Sequence, residues 1–244
     1  MASRGTVQIF PTCLVNEVQP EAGMAVVRVL ERLGFEVELP AGLTCCGQPA
    51  YNAGFHGDAR KVARHTLDVL AATLGWIVVP SGSCTDMLVH QYVELFHDDP
   101  RNAHRARAVA ARCREFSQFV AEHGGAQLVA RLTARVAYHP SCHLLRGLGV
   151  RDEPQMLVRT IDGATLMPFA EQEECCGFGG LFSVKNPDIS ASMLDRKLTA
   201  IVASGADRLV SCDLGCLLHL EGGLRRRGAA IRVQHLAELI DEAL

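Results

Sequence analysis

The sequence predicts an α/β protein of two pseudo-symmetric halves. Each half is a parallel sheet flanked by helices, with metal- or cluster-binding loops at the strand C-terminal ends. Three observations carry this. Cys-Cys-Gly occurs twice, at 45–47 and 175–177, each time inside a matching frame of distant cysteines. Short apolar runs alternate with helical periodicity along both halves, the pattern of β-α-β units and a sheet covered on both faces. The flanks also match: Val7 to Cys13 and Val136 to Cys142 are both apolar runs ending in Pro, a hydroxyl residue and Cys.

In the first half, Val7-Gln8-Ile9-Phe10 reads as a buried strand delivering Cys13 into a loop. From Pro20 to Leu33, residues Val26, Val27, Leu30 and Leu33 keep helical spacing, and Gly34 stops the helix. Glu36 to Leu39 is a second strand leading into Cys45-Cys46-Gly47. A helix from about Asp58 to Leu74 follows, then the strand Trp76 to Val79, which ends at Cys84. The stretch from Thr85 to Glu122 reads as helical, which makes Cys113 a helix packing residue. The second half repeats the order. A helix runs from Glu153 to Ile161 and stops near Gly163, and a strand from Thr165 to Phe169 leads into Cys175-Cys176-Gly177. Asn186-Pro187 opens the next helix as N-cap and first helical residue, running to Ser204. The strand Arg208 to Ser211 leads to Cys216, and a strand at Ile231 to Val233 and a helix at His235 to Ala243 complete the pattern. The boundary falls between Gly124 and Arg135, giving two domains, 1–130 and 131–244.

The chain has 244 residues, 48% of them hydrophobic, enough to bury a core without staples. A net charge of −3 with no basic stripe argues against nucleic acid, and Arg225-Arg226-Arg227 reads as a solvated helix end. No apolar run reaches the length of a membrane span. Met1 to Gly5 leads straight into a strand without an apolar leader, so a cytoplasmic protein is expected. In that reducing compartment, ten cysteines point to metal or redox chemistry rather than disulfides.

The frames are Cys13, Cys45, Cys46, Cys84 and Cys142, Cys175, Cys176, Cys216, with 31 and 37 intervening residues in the first and 32 and 39 in the second. Four thiols complete the shell of a soft metal or an iron–sulfur cluster. Neighbouring cysteines on an extended chain point apart, and the glycine after each pair permits a turn that aims both sulfurs at one centre. The wide spacing and the Cys-Cys pair favour a cluster. Zinc in one or both frames is the alternative, and the protein is then a structural or assembly module. His139 and His143 flank Cys142, placed either to hydrogen-bond sulfur and move protons or to fill structural roles. Arg146 suits a cluster's charge or a carboxylate, or is a surface residue. Gly177-Phe178-Gly179-Gly180 lacks the order of a phosphate loop and reads as close backbone approach to the centre.

The stretches Phe10 to Val15, Thr44 to Asn52, Pro80 to Cys84, Tyr138 to Arg146, and Glu174 to Gly180 with its continuation through Phe182 to Pro187 resemble the cysteine-rich CCG domain family. The resemblance covers essentially the whole chain. Relatives in that family include the cysteine-rich component of heterodisulfide reductase and the iron–sulfur subunit of glycolate oxidase. It implies iron–sulfur binding of the 4Fe-4S type by the eight frame cysteines. It further implies electron transfer as one subunit of an L-lactate-oxidising, lactate-to-pyruvate system working with two partner proteins. Lactate or an electron carrier is the candidate small partner. A heterodisulfide-reductase-like redox catalyst is the alternative. The family pattern ends each half in Cys-x-x-Cys; here Ser81 and Asp213 stand at the first cysteine of that motif. Ser81 and Asp213 are candidate oxygen ligands, with Cys212 and His143 as further candidates, and no residue is assigned to catalysis. No flavin or nucleotide fingerprint is visible, so substrate oxidation needs a partner or a site at the cluster itself.

Overall fold

The structure, a computed structural model, describes residues 3–244. Two four-stranded sheets form, and every strand pairing in them is parallel. In the first, β1 (Thr6–Ile9), β2 (Glu36–Glu38), β3 (Trp76–Val79) and β4 (Cys113–Glu115) lie in the order β2-β1-β3-β4. In the second, β5 (Arg131–Tyr138), β6 (Asp162–Leu166), β7 (Arg208–Ser211) and β8 (Arg232–His235) lie in the order β6-β5-β7-β8. The two orders are identical strand for strand. Three of the longer helices, Pro20–Arg32, Pro100–Arg112 and Pro187–Ala203, begin with proline, whose fixed φ suits the first helical turn where its missing N–H costs nothing.

Strand alternation explains how the halves join. Successive side chains face opposite sides of a sheet. Val7, Ile9 and Val78 of the first sheet and Val136, Tyr138 and Val210 of the second all enter one shared core. Phe10, Ile77 and Val79 turn the other way, into a core belonging to the first half, and Ala137 and Leu209 into a core belonging to the second. Four helices fill the shared layer in matched pairs: Pro20–Arg32 packs on Leu236–Ala243, and Phe116–Glu122 packs on Glu153–Arg159. Arg28 reinforces the first pair with an ion pair to Asp241 at 2.7 Å. Exchanging the halves exchanges these contacts, so the molecule has an internal pseudo-twofold axis.

The fold class is as expected from the sequence, with three local differences. The stretch from Thr85 to Glu122 is not helical throughout. Asp99 caps a new helix by accepting from the Asn102 amide at 3.1 Å, and Cys113–Glu115 is strand β4, so Cys113 is a buried strand residue. Three residues, two of them charged, offer no periodicity; pairing with β3 alone makes them a strand. The strand before the second Cys-Cys-Gly starts at Asp162 rather than Thr165. Gly163 does not end a helix. It sits inside β6 at φ 88°, opposite a register shift in β5. Asn186 precedes its helix but makes no side-chain cap bond. Met1 and Ala2, where the run without an apolar leader begins, lie outside the described residues. No helix among the described residues is long and apolar enough to cross a membrane.

The last strand of each sheet ends in a fully buried helix cap. Glu115 accepts from the Ser117 amide at 2.7 Å, and His235 Nδ1 accepts from the Ala237 amide at 3.1 Å. Burial pushes Glu115 up to about 7 and His235 down to about 4. Folded Glu115 therefore holds a proton that the unfolded chain releases above about pH 4.5, and the stability this confers is lost as pH rises from there through about 7. His235 acts oppositely, its neutral form losing stability as pH falls below about 6.5. Glu115→Gln should therefore gain on wild type by about 3 kcal/mol between pH 4.5 and 7, because a one-proton difference between folded and unfolded chains is worth about 1.4 kcal/mol for every pH step of one. Urea unfolding of both proteins across that range measures it; a constant difference contradicts the assignment.

Candidate metal centre

Three loops at strand ends build each thiol set. In the first half, Cys13 opens the helix Cys13–Glu17 after β1, Cys45 and Cys46 lie in the loop after β2, and Cys84 lies in the helix Gly82–Asp86 after β3. Cys13 Sγ is 3.9 Å from Cys45 Sγ, and Cys46 Sγ is 3.3 Å from Cys84 Sγ. Cys45 is held well below the ordinary thiol range because Cys13, and then Cys46, donate to it, while both of those neighbours are pushed up. The Gly47 amide adds a third donor to Cys45 at 3.4 Å. The second half repeats the chain of contacts. Cys142 and Cys176 donate to Cys175, Gly177 N approaches it at 3.4 Å, and Cys176 meets Cys216. In both sets the amide of the following glycine points at the first sulfur of the Cys-Cys pair.

The glycine of each Cys-Cys-Gly is required. Gly47 and Gly177 sit at φ 86° and 91°, the left-handed region that favours glycine. A Cβ on Gly177 would also meet the Ser190 carbonyl oxygen at 2.7 Å, so the following helix could not pack against the loop. Thr12, before Cys13, has φ 62° without being glycine, a strained backbone at the site entrance.

All eight frame cysteines line one cavity of about 390 Å³ between the halves. Two frames in sequence suggest two separate sites; the fold turns both toward each other across a common space. Every cysteine is free of disulfide bonds. The separation of 3.9 Å matches the edge of a tetrahedron with metal–sulfur bonds of about 2.3 Å, which is about 3.8 Å. Soft thiol donors, close spacing and absent disulfides fit a thiophilic metal or an iron–sulfur cluster held by Cys13, Cys45, Cys46 and Cys84 and by Cys142, Cys175, Cys176 and Cys216. His139 adds to the second set. It is fully buried, neither ring nitrogen has a partner among the described residues, and its donor atom lies within 4.8 Å of those of Cys176 and Cys216.

The remaining candidates take distinct places. Ser81 Oγ accepts from the Cys84 amide at 3.2 Å and donates to Asp213 Oδ2 at 3.0 Å. Asp213 also accepts from the Ser83 amide at 3.0 Å and the Gly215 amide at 3.2 Å. The two residues standing where the family has its extra cysteines thus cap the two helices that carry Cys84 and Cys216, and are bonded to each other across the halves. Cys212 is fully buried outside the cavity, with its sulfur 3.9 Å from the Tyr138 hydroxyl oxygen. His143 lines the cavity, and its Nδ1 lies 2.7 Å from Asp86 Oδ2. Burial alone would raise Asp86; hydrogen bonds from His143 and His90 outweigh it and hold the carboxyl below its ordinary value. Arg146 lies outside the cavity lining and donates to the Glu173 carbonyl at 3.0 Å. Sequence reasoning missed Asp86, Tyr92 and Lys197. Tyr92 donates to the Cys46 carbonyl at 2.8 Å, and Lys197 is a buried cation near the second set. All three lie within helical stretches, where only the tertiary fold shows which face meets the site.

A doubled α/β unit with four thiols at the strand ends of each copy defines a duplicated cysteine-rich, metal-binding class of protein. The chain belongs to the CCG cysteine-rich domain family, whose model matches it twice, at residues 7–89 and 136–221. It is 43% identical over 240 residues to lactate utilization protein A of Exiguobacterium sp., covering 98% of each chain. It is 43% identical to lactate utilization protein A of Halalkalibacterium halodurans over 96% of each chain, and 42% identical to that of Bacillus cereus strain G9842 over 96% of this chain and 98% of the relative. A crystal structure of a hypothetical protein from Helicobacter pylori shares the fold with a TM-score of 0.72 at 12% identity. The match covers 98% of this chain and 48% of that longer one.

Cys45→Ser and Cys176→Ser should each remove the metal of one set, about half the load per chain, while Cys113→Ala and Cys212→Ala leave it unchanged. Elemental analysis of the purified variants decides. Full metal in Cys45→Ser, or loss in Cys113→Ala, contradicts the ligand sets.

Proposed function

We propose that the chain is the iron–sulfur electron-transfer subunit of a system oxidising L-lactate to pyruvate. One observation carries this reading: the convergence of eight free thiols from two matched frames on a single cavity. Lactate oxidation releases two electrons and two protons, and zinc has no redox chemistry to accept them. Iron–sulfur centres held by the two frames would supply reversible one-electron storage. The chain's residues do the rest. The Gly47 and Gly177 amides donate to the thiolates Cys45 and Cys175, and the burial of Cys46, Cys84 and Cys176 keeps water from those sulfurs. His143, oriented by Asp86, is the polar side chain best placed to hold or pass a proton at the cavity wall.

The names of the relatives at about 43% identity support the lactate-using role. The absence of a flavin or nucleotide fingerprint supports work with two partner proteins that bind substrate and pass electrons on. We read residues 1–130 and 131–244 as the two duplicated domains, each containing one of the family matches, in a protein working in the reducing cytoplasm.

The sulfur spacing favours a second reading. The 3.9 Å between Cys13 and Cys45 is the spacing of two ligands on one tetrahedral metal, and zinc in one or both frames would make the protein an assembly module. Anaerobic purification decides between them. The first reading expects brown protein with iron and acid-labile sulfide, reduced by lactate only when the partner proteins are added. Colourless protein containing zinc alone sinks it, and lactate-driven reduction of the isolated chain removes the need for partners.

A further inference from the structure

The two thiol sets are matched in sulfur and unmatched in charge. Aligning Cys13 with Cys142 places Phe10 opposite His139 and Leu14 opposite His143. Gly47 faces the Ala59 carbonyl and Val62, as Gly177 faces the Ser190 carbonyl and Met193. That register places Thr66 opposite Lys197. All three exchanges put a nitrogen-bearing side chain in the second half against an apolar or neutral one in the first.

Lys197 is the decisive member. It is 1% exposed, and its ammonium donates to the Gln172 carbonyl at 3.0 Å and to the Glu171 carbonyl. Among the described residues no carboxylate pairs with it, and the nearby acid Glu174 is exposed. A buried ammonium without an anion is unfavourable. The second thiol set lies beside it: Cys176 packs in one core cluster with Leu194 and Leu198, the residues flanking Lys197 on its helix, and the thiols Cys176, Cys142 and Cys175 favour its charge. His139, with both nitrogens unpartnered among the described residues, lies against Cys176 and Cys216 of the same set. The first set has fully buried Phe10 and Thr66 at the corresponding places.

We propose that Lys197 makes the second thiol centre the higher-potential member of the pair, so that an electron shared between the two centres rests on the second. This rests on the iron–sulfur reading above. Reduction adds one electron and one negative charge to a centre, with no bond made or broken. The added charge is stabilised by a fixed cation in a dry surrounding and is left uncompensated beside Thr66.

Full-length protein purified anaerobically, assayed for iron and sulfide and titrated with dithionite under EPR, tests this. Two reduction steps are expected, the higher one absent in Cys176→Ser and the lower one absent in Cys46→Ser. Lys197→Met should lower only the second-centre step, by at least tenfold in the one-electron equilibrium, about 59 mV. Lys197→Arg should keep it in place. The proposal is overturned if Cys176→Ser removes the lower step, or if Lys197→Met moves both steps equally or neither. If Lys197→Met does not fold, the order of the steps in the two cysteine variants decides alone. Protein with no redox-active iron overturns the iron–sulfur reading itself, a result distinct from two iron centres of equal or reversed potential.

Discussion

One carboxylate holds the site together. Asp213 is 6% exposed and takes hydrogen bonds from the Ser81 hydroxyl and from the amides of Ser83 and Gly215. Those donors come from both halves, and the amides lie at the first turns of the helices carrying Cys84 and Cys216. An anion at a helix N-terminus is favoured by unpaired N–H groups and the helix dipole, by about 0.3–1 kcal/mol when exposed and up to about 2 kcal/mol when partly buried. Asp213 meets two such ends and needs no arginine or lysine to balance it. Its position therefore sets the relative placement of the last cysteine of each frame, and with it the width of the shared cavity. A thiol at this position would offer a further ligand and would accept these hydrogen bonds only weakly.

The rest of the architecture follows from a symmetric core carrying asymmetric chemistry. Because alternate strand residues enter a core common to both sheets, neither half can move without exposing Val7, Ile9, Val136 and Tyr138. The cavity thus has rigid walls from two sides. Its flanking contacts differ. On one side Asp86 and His143 join the halves through a partly buried carboxyl–imidazole bond; on the other Leu14, Val15, Leu214 and Leu217 join them through an apolar cluster. The same pseudo-symmetry pairs Glu115 with His235 as caps of opposite charge tendency. Duplication supplied the scaffold, and substitutions at equivalent positions made its two faces chemically different.

Much of this was legible in the sequence because the informative features were local and repeated. The strands Val7 to Phe10 and Trp76 to Val79, the helices opening at Pro20 and Pro187 and both cysteine frames could be placed from spacing alone. What escaped depended on pairing or convergence. Strand β4 has only three residues, and its membership rests on hydrogen bonds to β3, 34 or more residues earlier. Sequence spacing cannot say whether two frames face each other or face apart, so the single cavity appeared only in three dimensions. Lys197 looked like any lysine on an amphipathic helix. Its burial is a property of the loop holding Glu171 and Gln172, whose carbonyls it meets. Ser81 and Asp213 stood out as departures from a pattern, but only the fold shows that they are bonded to each other.

The sulfurs are brought together by the protein rather than by what they bind. In small zinc modules the ligands assemble only when metal arrives, so that binding energy and folding energy are the same quantity. Here the loops are fixed by sheet registers, by the Gly47 and Gly177 turns and by the Ser81–Asp213 caps. A thiophilic centre binds thiolates, so its entry displaces the thiol protons. Its binding must therefore release protons and weaken as pH falls. Loss of a single thiol should remove the centre while leaving the fold, because the sheet pairings and the shared core contain none of the eight frame cysteines.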